Sequence, residues 1–400
     1  MFEKLFGDGI HDDTKAIQEL IDSGIHELCL PDPKVCYLIS APLELPSNFK
    51  LKLPRFAEVK LAKDSNCIML KNKTLEKQSN RAKLPLWDHL NRWSEDYPCE
   101  NIEVEGGIWN LNNLEQKPNP LLTDIFEPKE YNGFIFLFYN VKNLRLSSLT
   151  LKDPVTFAVT LDTISYFTID NIIFDFNYGN PLATNMDGIH MDGNCHFGNI
   201  TNLKGACYDD LIALNADEGT GGPISNIKIS GIYAEDCHSA VRMLSAGSPV
   251  TNIHISDVYG TYFQYCIGLT KYYQSGKTGY FDAITLDNIY ASKAPWIPEY
   301  HKGEGDEYRK DPYIYSPIWI EWDLYIKSLK ISNMHRAEYV NPVSTIFVGH
   351  DTVIERLMLD NISTDNHTDA QEIPLLVNEG QIKYFDAINL FSDGEELTEV

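Results

Sequence analysis

The chain has 400 residues, 43% of them hydrophobic, which is ample for a core, and a formal charge of -24. With no Lys/Arg cluster to offset that charge, nucleic acid and anionic membrane surfaces are excluded as natural partners, because both would repel it. The eight cysteines show neither C-x-x-C pairs nor histidines at ligand spacing, so they read as buried small hydrophobes, not as a zinc site or a disulfide framework. No apolar run has the length of a signal peptide or a membrane span, so the expectation is a soluble protein, cytoplasmic or else secreted and expressed without its leader.

Residues 7–24, GDGIHDDTKAIQELIDSG, predict a turn and then an amphipathic helix. Asp12 or Asp13 is its N-cap, Ala16, Ile17, Leu20 and Ile21 recur at helical spacing, and Gly24 stops it. Beyond it the pattern changes to short β-branched and aromatic runs. One phrase, a polar residue followed by apolar-x-apolar-x-x-apolar, recurs at Asn101, Asn143, Asn226 and Asn252, and continues through Ile284, Leu329 and Leu357. A second alternates with it, centred on Phe136, Ala158, Ile189, Ile212, Val241, Leu269, Trp319 and Phe347.

Repeats of roughly 22 to 30 residues with two or three strands and few Asn-Gly or Asp-Gly hairpins predict a parallel β-helix, not an antiparallel sandwich. The expected architecture is one all-β solenoid domain over 1–400, its early helix covering the open edge of the first coil. Three stretches break the period: 78–98, 110–132 and 293–316. As insertions leaving the turns of a solenoid, they are expected to line a cleft, their aromatics either stacking on sugar rings or packing a small core of the loop's own.

The stretch from Thr184 to Glu218 carries the chemistry: Asp187 precedes the run Gly188 to Met191, and Asp209 and Asp210 precede the run Leu211 to Leu214. Residues one coil apart in a parallel ladder stand about 4.8 Å apart. The three aspartates would then share a site where repulsion keeps at least one protonated, which supplies both an acid and a base. Strand alternation turns His190, Ala213, Arg242 and Thr270 to the same outer face. His190 is either a sugar contact or a solvated surface histidine, and Arg242 either a substrate cation or the partner of Glu235 or Asp236.

The opening GDGIHDDTKAIQELID resembles the start of pectate-lyase-like β-helices and phage tailspikes. NMDGIH followed by YDDLIALN resembles glycoside hydrolase family 28, the polygalacturonases, whose motifs are Asn-Thr-Asp-Gly, Gly-Asp-Asp-Cys, Gly-His-Gly and Arg-Ile-Lys. The resemblance implies a right-handed parallel β-helix of the pectin-lyase-like type and an inverting glycoside hydrolase. It makes Asp209 the general acid, sets Asp187 and Asp210 to activate water, and puts His238 at the family's histidine. Tyr208 replaces a family glycine, His238 lacks its flanking glycines, and Thr270 and Tyr272 take the places of the Arg and Lys that hold a substrate carboxylate. Lys271 is out of phase by one residue.

The site expected is therefore Asp187, Asp209, Asp210 and His238 for catalysis, with His190, Asp192, Arg242, Lys271 and Tyr272 binding substrate. The partner is a carbohydrate, no cofactor or metal is expected, and the oligomeric state stays open. One rival is a lyase or epimerase, with Asp187, Asp192, Asp209 and Asp210 on calcium and Arg242 or Lys271 as base. The other is a tailspike-like solenoid that binds glycans without cleaving them.

Overall fold

Several repeats open on asparagine because the chain must turn there. In the computed structural model, which describes residues 2–73, 99–118, 133–272, 275–298 and 314–397, Asn48, Asn101, Asn143, Asn226 and Asn252 have φ from 55° to 64°. Asparagine tolerates this left-handed conformation better than most L-residues. Its amide also finds the equivalent residue one coil away. Asn101 Nδ2 donates to Asn48 Oδ1 at 2.7 Å, Asn143 Nδ2 to Asn101 Oδ1 at 2.8 Å, and Asn252 Nδ2 to Asn226 Oδ1 at 2.6 Å. Replacing Asn101 by Ala should cost about 1–2 kcal/mol, the left-handed penalty of an ordinary residue. Asn101→Gly should cost less, since glycine takes that conformation freely. Thermal unfolding of the two variants checks the order, and a glycine variant less stable than the alanine one would contradict this account of the turn.

The chain forms two compact units, Met1–Asn199 with Glu218–Thr220 and Ile200–Asp217 with Gly221–Val400. In the first, parallel strands stack apolar residues into three in-register columns. One runs Leu43, Leu70, Phe136, Val159, Ile189; a second Leu28, Leu51, Val104, Leu146, Ile169; a third Tyr37, Val59, Trp109, Leu151, Phe174. All are buried. The second unit repeats the plan with Ile212, Val241, Ile267, Ile318, Ile346, then Ile227, Ile253, Ile284, Leu329, Leu357 and Ile232, Val258, Ile289, Met334, Ile362. Burying each such side chain is worth about 1.5–3 kcal/mol, so every coil adds a similar increment to its stack. The fold is an all-β right-handed parallel β-helix.

The helix forms over Thr14–Ile21, with Ile17 and Ile21 buried. Asp13 holds the N-cap position without making a side-chain cap bond. Its carboxylate instead accepts the N–H groups of Phe6 and Gly7 at 2.7 and 3.0 Å, while Asp12 accepts that of Thr14 at 2.8 Å. Gln18 clamps the helix onto strand Leu43–Leu45, its amide donating to Glu44 O at 3.1 Å and accepting Glu44 N–H at 2.9 Å. That pairing occupies backbone groups that an edge strand would otherwise offer to another chain. Residues 78–98 lie outside the described residues, as do 119–132 and 299–313 of the other two expected insertions. Among the described residues no helix is long and apolar enough to cross a membrane.

Candidate active site

In the first unit, Asp187 stands just ahead of strand Ile189–Met191, its main-chain oxygen accepting Ala158 N–H at 2.9 Å. Ile189 and Met191 fill the core, which turns His190 and Asp192 to the opposite face. Thr160, the ladder partner of His190, and Asp162 take the equivalent face of the adjacent strand. His190 Nδ1 lies 2.6 Å from Asp187 Oδ2, and its Nε2 lies 3.0 Å from Glu218 Oε2 and 3.4 Å from Asp192 Oδ1. Phe157 stacks on the imidazole at 3.9 Å between centroids. Burial disfavours the imidazolium, but the hydrogen bonds with Asp187, Asp192 and Glu218 outweigh it and raise the pKa of His190 well above its ordinary value. At 3% exposed, His190 is not the solvated surface histidine that one of its two expected readings made it, because Phe157 and the carboxylates enclose it.

The second unit holds the paired aspartates. Asp210 opens strand Asp210–Asn215 opposite Ser239, whose hydroxyl donates to Asp210 Oδ1 at 2.5 Å. Arg242 Nε is 2.9 Å from Asp210 Oδ2, an ion pair whose N–H is not aligned on that oxygen. His238 Nδ1 faces both acids, 3.6 Å from Asp209 Oδ1 and 3.8 Å from Asp210 Oδ1. Asp210 is fully enclosed, whereas the Asp209 side chain is 24% exposed. Of the two, Asp209 is the carboxyl an incoming sugar can reach.

Three expectations change here. Arg242 pairs with Asp210, at the start of the adjacent strand, instead of with Glu235 or Asp236. Its ladder neighbour is Gly268, and Thr270 pairs with Leu244, two residues from the register expected. A shift of two keeps every side chain on its face, so alternation alone could not detect it. The Tyr265 ring fills the space over Gly268, where a Cβ would meet it at 2.6 Å. Lys271 is almost buried, its amine ion-paired with Asp323 and its backbone N–H given to Glu321. Glu321 also accepts the N–H of Tyr272, which is left-handed at φ 57° and half exposed.

A largely buried group of aromatic rings packs against His238 in the second unit. Phe263 and Tyr265 meet His238 edge-on at 5.2 and 6.3 Å, Tyr315 meets Tyr265 at 5.8 Å, and Trp319 meets Tyr315 at 4.8 Å. Phe347 stacks on Trp319 at 4.4 Å, and Trp296 lies 6.3 Å from Tyr208. Trp296 and Tyr315 come from the predicted insertion 293–316. Trp319 was legible only as a centre of the second phrase; the structure sets it between the core residues Ile318 and Ile320, in register with Gly268. Asp162, Glu218, Ser239, Glu321 and Asp323 carried no such signal, since isolated acids and serines are ordinary on a solenoid surface.

The family model of glycosyl hydrolases family 28 matches residues 43–293, more than half of the chain. Among solved structures, a hyperthermoactive exopolygalacturonase from Thermotoga maritima superposes with a TM-score of 0.58 at 14% identity, over 97% of this chain and 90% of that one. A family 28 exopolygalacturonase from Yersinia enterocolitica gives 0.56 at 13% identity over 96% and 77%. The A-module of a mannuronan C-5 epimerase from Azotobacter vinelandii gives 0.54 at 10% identity over 97% and 97%. At such identities these structures share the fold alone, and no curated protein matches the sequence. The extent of the family match is what decides membership: the chain belongs to glycosyl hydrolases family 28.

Proposed function

We propose that this glycoside hydrolase cleaves its substrate with inversion, Asp209 protonating the leaving oxygen and Asp187 and Asp210 activating water. The observation that carries the reading is the contrast within the second unit: an accessible Asp209 beside an enclosed Asp210, with His238 facing both. Ser239 and Arg242 hold Asp210 as a hydrogen-bonded, charge-paired carboxylate, as a base requires. Trp296, 36% exposed and edge-on to Tyr208, gives a carbohydrate an apolar surface to pack on, while Phe263, Tyr265, Tyr315 and Trp319 are buried. A lyase is disfavoured because its candidate bases, Arg242 and Lys271, are ion-paired with Asp210 and Asp323, and a cation holding its proton abstracts none.

The substrate of this reading is a neutral glycan, or one whose acid group falls elsewhere than in polygalacturonate. Thr270 and Tyr272 offer no positive charge, and the charges of Arg242 and Lys271 are met by carboxylates of the protein. A missing charge-assisted bond to a substrate carboxylate loses roughly 1.5–3 kcal/mol, or about 10- to 150-fold in affinity. Turnover on polygalacturonate should therefore fall well below that on neutral galactans or rhamnogalacturonan fragments. Arg242→Ala should slow all substrates alike, because it acts through Asp210. Strong polygalacturonate cleavage that Arg242→Ala selectively removes would identify Arg242 as the substrate's own cation and overturn this specificity.

A further inference from the structure

Three carboxylates converge on the two ring nitrogens of His190. His190 Nδ1 takes Asp187, and at Nε2 two further carboxylate oxygens converge, Glu218 at 3.0 Å and Asp192 at 3.4 Å. A proton on Nε2 points along one line and serves one acceptor well. A metal ion there serves both. We propose that His190 Nε2, Asp192 and Glu218 bind one divalent transition-metal ion, Zn²⁺ or Mn²⁺, with Asp187 holding the imidazole from its other nitrogen.

The distances fit this use. Ligands about 2.1 Å from a metal lie about 3.0 Å apart at octahedral angles and about 3.4 Å apart at tetrahedral ones, the spacings at Nε2. A metal-bound histidine also usually gives its second N–H to a carboxylate, which fixes the ring and its tautomer, and Asp187 stands at that place. An independent sign comes from Thr160. Fully buried opposite His190 on the same face, its hydroxyl has no hydrogen-bond partner among the described residues. Its side chain leaves the strand beside His190, on the face that carries the cluster, where its oxygen can hold a water on the ion. Unpartnered buried hydroxyls are uncommon and call for such an explanation.

The third ligand is delivered by a fixed segment. Glu218 O accepts Gly193 N–H at 3.1 Å, and Thr220 N–H donates to Asp162 Oδ2 at 3.0 Å. Between them Gly219 has φ +60°, and a Cβ there would meet Asp192 Cγ at 2.4 Å. Mixed imidazole and carboxylate donors favour Zn²⁺ or Mn²⁺ over Ca²⁺ and Mg²⁺, which prefer oxygen alone. The ion would clasp residues 218–220 to strand Ile189–Met191. This assignment does not rest on the hydrolytic mechanism proposed above.

The test uses the full chain without an affinity tag, stripped with chelator and titrated calorimetrically with ZnCl₂, MnCl₂ and CaCl₂ alone. One equivalent of Zn²⁺ or Mn²⁺ is expected to bind at micromolar or lower concentration and to raise the unfolding temperature. Asp192→Asn and Glu218→Gln should each weaken binding at least about 10-fold, and Asp187→Asn about 10- to 100-fold, the usual effect of losing a carboxylate behind a ligating histidine. No saturable binding by the wild-type chain would overturn the proposal whether or not the variants fold. So would unchanged affinity in the Asp192→Asn, Glu218→Gln double variant, or tighter binding of Ca²⁺ than of either transition metal.

Discussion

Asp209→Asn is expected to lower turnover by about 10²-fold or more, the cost of losing a positioned general acid. The loss should depend on the leaving group. A glycoside of an acidic phenol needs little protonation as it departs, so Asp209→Asn should recover much of its rate on such a substrate. Asp187→Asn and Asp210→Asn should not recover, because water still has to be activated. Residues that act as one unit are not additive, so Asp187→Asn combined with Asp209→Asn should cost little more than the worse single variant. Proton NMR of the first product formed would show whether the anomeric configuration inverts, as the proposed direct attack of an activated water predicts. Near wild-type hydrolysis by both Asp209→Asn and Asp187→Asn would remove these residues from the mechanism, and a retained configuration would remove the inverting one.

What could be read from the sequence follows from what a repeat encodes. Ile227, Ile253, Ile284, Leu329 and Leu357 were legible as one phrase and form one column, because apolar residues recurring once per coil can be buried together only by stacking. The left-handed asparagines were legible as polar punctuation, although their mutual hydrogen bonds were not. The break came between Val241 and Leu269. There Ile267 enters the column, and period-2 alternation is blind to a slip of two. Of the His190 cluster, Asp187, His190 and Asp192 were expected at the site, but Glu218 was not, for a different reason. Glu218 reaches it from a segment well beyond the strand that carries His190 and Asp192, and no ligand motif spans that interval. The fate of the cations was hidden in the same way, since Asp323 lies 52 residues from Lys271.

The largest loss of stability is expected from Arg336→Met in the second unit. Arg336 and Glu338 are both fully buried, paired at 2.8 Å between Arg336 Nη2 and Glu338 Oε2. The guanidinium donates further to Val343 O at 2.6 Å, Asn341 O at 2.8 Å and Thr345 Oγ1 at 3.1 Å. It thereby ties the turn after strand Leu324–Glu338 to that strand's end. Removing one partner of a buried pair costs about 3–5 kcal/mol, mostly by leaving the other charge buried and uncompensated. For a unit of this size each kcal/mol moves the midpoint by roughly 2–4 °C, so a fall of roughly 6 °C or more is expected in a thermal scan. Replacing both residues by apolar ones should not restore it, as buried pairs elsewhere sometimes allow. Glu338 also accepts the backbone N–H groups of Val340 and Asn341 at 2.9 Å and of Lys293 at 3.2 Å, and an apolar side chain leaves all three without their acceptor. A double variant as stable as the wild type would show that the pair merely fills space, whereas a double variant no better than Arg336→Met would show that Glu338 organises the turn by itself.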